Sequence, residues 1–139
     1  MTRRRRKVGD VYQFQLSEGR YAYGRVLEDA CVAFYREITA SPAEPPIGSR
    51  DYQFVVGVYR HVFRADGVTF VGHDKSRDET DDWPPPMKIT DPLTGSLSIY
   101  ERGQIRPAGT ENCDELEPAG VWDLPQLLSR LEGQGSAQQ

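Results

Sequence analysis

The stretch KVGDVYQFQLSEGRYAYGRVL, residues 7–27, decides how the rest of the chain is read. Tyr12, Phe14 and Leu16 alternate in a first run, Tyr21 and Tyr23 in a second. A period of two sets each group on one face of a β-strand, and Ser17-Glu18-Gly19 between them has the composition of a turn. Such aromatic faces serve either half of a catalytic site or the opening hairpin of a sheet whose function lies elsewhere. The rest of the sequence favours the hairpin.

Working outward, CVAFYREI (31–38) is predicted as a third strand, rich in β-branched and aromatic residues. SPAEPPIGS (41–49) breaks the pattern with three prolines and a glycine, as a loop does. YQFVVGVYRHVF (52–63) is predicted as one long strand buried on both faces, with a bulge or sharp bend at Gly57. Asp66-Gly67 signals a hairpin turn, with VTFVG (68–72) as the returning strand. A polar segment, HDKSRDETDDWPPP (73–86), follows, and LSIYERG (97–103) is a further short strand after the turn-like DPLTG. Only LPQLLSRLE (124–132) has helical spacing: Asp123 caps it, Pro125 suits its first turn, and Leu124, Leu127, Leu128 and Leu131 form one stripe.

Many short strands with one terminal helix predict a mainly β fold: a strongly bent antiparallel sheet or small SH3-like open barrel with a short C-terminal helix. The even-numbered face of the opening hairpin would fill it, and Gly24 would let the second strand coil. The expected division is a basic N-terminal tail at 1–7, one β-rich domain over 8–132 and a disordered tail at 133–139.

Composition narrows the function. A chain of 139 residues, 37% hydrophobic and 27% charged, has room for a single core. No apolar run is long enough to span a membrane, and the basic start has no apolar stretch behind it to make a secretory signal. Cys31 and Cys113 lack CxxC spacing, and two reduced thiols in a cytoplasmic protein are expected, with one long-range disulfide as the alternative. The net charge of −4 hides an uneven distribution. Of 17 Lys and Arg, five are Arg3, Arg4, Arg5, Arg6 and Lys7; the remaining 12 face 21 acidic residues, a body near −9 that favours basic partners. Nucleic acid is not expected as a partner except through that basic cluster; the alternative reading is a small β-barrel module that binds nucleic acid or a small ligand.

No catalytic constellation stands out. His61 and His73 are the available bases, and Cys113, beside Asn112 and Asp114, is the nearest candidate nucleophile, without a motif around any of them. His61, mid-strand between Tyr59 and Phe63, reads as a hydrogen-bonded structural histidine. His73, Asp74, Asp78, Glu79, Asp81 and Asp82 offer oxygen ligands but lack the central glycine of a calcium loop, and no zinc spacing exists. No metal or cofactor is expected, and no glycine-rich phosphate cradle is present. GRYAYGR and YRHVFR interleave arginine with aromatics, a pattern compatible with base stacking and phosphate contacts. RDETDDW (77–83) has the look of a recognition surface: Asp78, Glu79, Asp81 and Asp82 beside Trp83, which Pro84 to Pro86 stiffen. The alternative is that Trp83 packs onto the sheet and the acids are solvated.

Together these residues resemble the immunity protein 26 family of bacterial polymorphic toxin systems. The likeness rests on KVGDVYQFQLSEGRYAYGRVL, the mid-chain FYR and VVGVY, WPPP followed by DPLTGSLSIYERGQIRPA, and the closing CDELEPAGVWDLPQLLSRL, roughly residues 7–132. The resemblance implies a small, mostly β, noncatalytic and cytoplasmic protein that binds and neutralises a cognate toxin domain, often a nuclease. It carries no catalytic residue over to this chain.

Overall fold

The computed structural model describes residues 5–41, 44–110 and 112–136. Six strands form one sheet: β1 (Asp10–Gln15), β2 (Tyr21–Val26), β3 (Cys31–Tyr35), β4 (Tyr52–Val58), β5 (Val68–His73) and β9 (Val121–Trp122), in the order β5-β1-β2-β3-β4-β9. A second sheet holds β6 (Met87–Thr90), β7 (Leu97–Glu101) and β8 (Gln104–Pro107), and the helix α1 (Leu124–Ser136) follows β9.

The opening hairpin forms as the alternation requires, with Phe14 opposite Ala22 and Gln13 opposite Tyr23. Its turn places Glu18 at φ 58° and Gly19 at φ 71°, closed by the Arg20 N–H on the Ser17 carbonyl at 3.2 Å. Positive φ at both central residues is the mirror-image turn whose twist matches the flanking strands. Even positions along β1 to β4, among them Tyr12, Phe14, Val32, Phe34, Phe54 and Val56, are buried in one core with Leu127 and Leu131 of α1. Val68 and Phe70 of β5 and Trp122 of β9 pack on the same core, so both margins of the sheet curl toward it. β5 and β9 do not pair with each other, and the sheet bends without closing. Gly24 leaves room across the pair: a Cβ there would lie 2.5 Å from Val32 Cγ1.

Odd positions are also covered. Val11, Tyr23 and Tyr35 are buried together, and Cys31 and Ala33 pack with Met87 at the start of β6. Cys31 and Cys113 are both buried free thiols, and burial with the nearby Asp29 charge pushes the Cys31 pKa up to about 12.

Several expectations are corrected. The third strand ends at Tyr35 rather than residue 38, where its register on β4 shifts between Phe34 and Tyr35. The long run from Tyr52 stops at Val58: the Tyr59 N–H turns to the Trp122 carbonyl of β9, and Arg60–Arg64 coil into a 3-10 turn that buries Val62. Tyr59 and His61 are consequently exposed. Gly57 marks no bulge; it permits a close approach of β9, for a Cβ there would meet the Gly120 carbonyl oxygen at 2.6 Å. The turn at Asp66-Gly67 does not close a hairpin on β4, because β5 crosses over to pair antiparallel with β1. The sheet is not wholly antiparallel, since β9 runs parallel to β4. β6, β8 and β9 have no counterpart in the sequence reading.

The helix begins at its expected cap. Asp123 Oδ1 accepts the Leu124 N–H at 2.8 Å while Gln126 Oε1 accepts the Asp123 N–H at 2.9 Å. It continues past Glu132 to Ser136; residues 137–139 of the expected tail lie outside the described residues.

Candidate functional site

Residues 73–86 run over the odd-numbered face of β2 and β3, held there by two arginines distant in sequence. Arg25 of β2 is fully buried. Its Nε donates to the Asp74 carbonyl (3.0 Å), and one terminal nitrogen to the Asp81 carbonyl (3.0 Å). The other donates to Ser76 Oγ (3.3 Å) and Asp82 Oδ1 (2.9 Å). A buried guanidinium is tolerable only when its donors are used, and these are. Arg50, from the loop after β3, forks onto both oxygens of Asp81 at 2.7 Å and reaches Asp74 Oδ2 at 3.0 Å. Asp74 Oδ2 also accepts the Tyr35 hydroxyl at 2.5 Å and the Gly48 N–H at 2.9 Å.

The charge states follow from these contacts. Burial pushes the Asp74 carboxyl up, but the bonds from Tyr35, Gly48 and Arg50 outweigh it and hold it below the ordinary range. Asp81 is held well below that range, chiefly by its bonds from Arg50. Tyr35 is raised by burial and by its bond to Asp74, and Arg50 by its bonds to Asp81 and Asp74. Near neutral pH Asp74, Asp81 and Arg50 are therefore ionised while Tyr35 keeps its proton.

On this base the predicted recognition residues divide into two groups. Asp78 caps the 3-10 turn Glu79–Asp82, accepting the Thr80 and Asp81 N–H groups at 2.9 and 3.2 Å, and it stays exposed with Glu79. Asp81 and Asp82 turn inward to Arg50 and Arg25. Trp83 is half-buried, with the Arg102 guanidinium 5.5 Å from its ring centroid, and Pro84 behind it is buried. The sequence reading brought these five residues together but missed Arg25, Tyr35 and Arg50 beneath them. Arg25 had one signal: it shares the face of Tyr21 and Tyr23 in an alternating strand.

The residues weighed for catalysis do not converge. His61 is hydrogen-bonded as expected, Nε2 to Asp123 Oδ1 at 2.8 Å, but on an exposed turn rather than mid-strand. His73 pairs through Nδ1 with the buried Asp10 at 3.0 Å, at the end of β5. Cys113 is buried with Ile99 and Ala108 beside the second sheet. Among the described residues, no three of His, Cys, Asp and Glu gather as metal ligands, and no helix is long and apolar enough to cross a membrane.

Residues 7–96 match the family model described as immunity protein 26. The match ends before β7, so β7, β8, β9 and α1 lie outside it, although the likeness read from the sequence ran to residue 132. No curated protein and no solved structure matches the chain.

Proposed function

This chain belongs to the immunity protein 26 family, and we propose that it binds and neutralises a cognate toxin domain in the cytoplasm without catalysis, through the acidic surface centred on residues 78–83. The observation that carries the reading is the pre-organisation of that segment. Arg25 and Arg50 fix its backbone, so Asp78, Glu79 and the half-buried Trp83 are presented with little ordering cost at binding. An acidic face over a fixed backbone suits a partner with a basic surface, as a nuclease has.

The test is protection of host cells against a toxin encoded beside this chain's gene. The wild-type protein and the His73→Ala and Cys113→Ala variants are expected to protect equally and to co-purify with the toxin domain. A folded His73→Ala protein that still binds the toxin but no longer protects would overturn the noncatalytic reading. Failure of the wild-type chain to bind any neighbouring toxin domain would overturn the immunity reading itself.

A further inference from the structure

A groove of about 640 Å³ lies where the N-terminal residues meet the turn between β4 and β5. Tyr12 of β1 and Phe70 of β5, a cross-strand pair, and Phe63 of the turn form its floor. Phe63 and Phe70 each meet the Tyr12 ring edge-on, at 4.9 and 5.8 Å. Its walls are Arg5, Arg6, Arg60 and Arg64. Arg60 and Phe63 are three residues apart on a 3-10 turn, so they stand on one side of it.

Among the described residues, no salt bridge offsets the charge here. Arg20, Arg25, Arg36, Arg50, Arg106 and Arg130 each pair with a carboxylate. Among the described residues, no carboxylate pairs with Arg5, Arg6, Arg60 or Arg64. Arg6 instead sits 4.2 Å from the centroid of the Phe63 ring, and burial lowers its pKa, with Arg60 and Arg64 acting in the same direction and Tyr12 and Asp10 against it. Gathering like charges around an aromatic floor costs free energy that an anion would return. The volume falls in the range of small-ligand sites, roughly 300–1,000 Å³.

We propose that this groove binds single-stranded nucleic acid, its phosphates taken by Arg5, Arg6, Arg60 and Arg64 and a base lodged against Phe63 and Phe70. Guanidinium groups interleaved with aromatic rings are the chemistry of single-strand sites. Of the two arginine–aromatic runs in the sequence, GRYAYGR spends Arg20 and Arg25 on internal pairs, whereas YRHVFR delivers Arg60, Phe63 and Arg64 to the groove. The basic cluster continues in sequence into Arg3 and Arg4, which lie outside the described residues. This site is independent of the toxin-binding segment.

Fluorescence anisotropy of a labelled oligouridylate, with the full chain over a salt series, tests it. Four phosphate contacts predict a slope of log K against log salt of about −2.8, halved to about −1.4 in an Arg60→Gln/Arg64→Gln variant. The Arg60→Glu/Arg64→Glu variant should weaken binding by about tenfold or more with its circular dichroism unchanged. Absence of binding at low salt, or equal binding by the folded double variants, would overturn the proposal. So would displacement of the RNA by polyglutamate at equal charge concentration, which would reassign the groove to an acidic protein segment.

Discussion

Asp81 spends its charge inside the protein. Arg50 holds both its oxygens and the Arg77 N–H adds a third bond at 2.8 Å, keeping the carboxyl below its ordinary value of 3.8. A carboxylate whose folded pKa is depressed stabilises the fold above its unfolded pKa, and that contribution is lost as pH falls through the folded value. Thermal melting followed from neutral pH to about pH 2 should therefore show an acid limb beginning near the unfolded carboxylate value. Asp81→Asn should lower stability at neutral pH and flatten the limb, with Asp74 supplying the remainder. An acid limb identical to wild type would show that Arg50 does not hold Asp81 in solution. The acids of this segment were legible in the sequence as a charged run beside a tryptophan. Their inward turn was not, because Arg25 and Arg50 lie 56 and 31 residues from Asp81.

What alternation could and could not forecast is clearest in β4 and its neighbours. Phe54, Val56 and Val58 lie on the core face as their spacing required, yet the apolar run continued to Phe63 and concealed where pairing ended. The strand stops because β9 takes over the next N–H, and β9 has only two residues, too few to leave a periodic signal. β6 and β8, four residues each and the latter wholly exposed, carried equally little pattern, and the crossover of β5 to β1 is set by tertiary packing. Gly57 was legible as a special position, and its reason is the Gly120 carbonyl 2.6 Å from where a Cβ would stand. Because the obstacle is backbone, Gly57→Ala should push β9 away and cost about 1–3 kcal/mol. Amide exchange at Tyr59, whose N–H bonds the Trp122 carbonyl, should accelerate well beyond that at Val32 in the sheet centre. A Gly57→Ala protein that melts and exchanges like wild type would show that β9 does not pack there in solution.

The distribution of charge over the protein shapes how a partner would approach. Four arginines without a salt bridge among the described residues line the groove beside β1, while beyond residues 3–7 the 21 acidic residues outnumber the 12 basic ones. A basic toxin domain would be steered by the acidic excess over a screening length of about 8 Å at physiological salt, so raising salt should slow association far more than it changes dissociation. The acids of residues 78–82 should not contribute alike. Asp78→Asn/Glu79→Gln keeps the turn's cap and removes two exposed charges, so it should slow association while melting near wild type. Asp82→Asn strips the carboxylate from a fully buried guanidinium and should act through stability instead. Trp83→Ala should leave association nearly unchanged and speed dissociation, costing about 2 kcal/mol or more if the ring is the anchor of the contact. Stopped-flow mixing with the toxin domain across a salt series separates these effects. An association rate that is indifferent to salt and to the Asp78/Glu79 double change would remove residues 78–83 from the interface and leave the partner to another face.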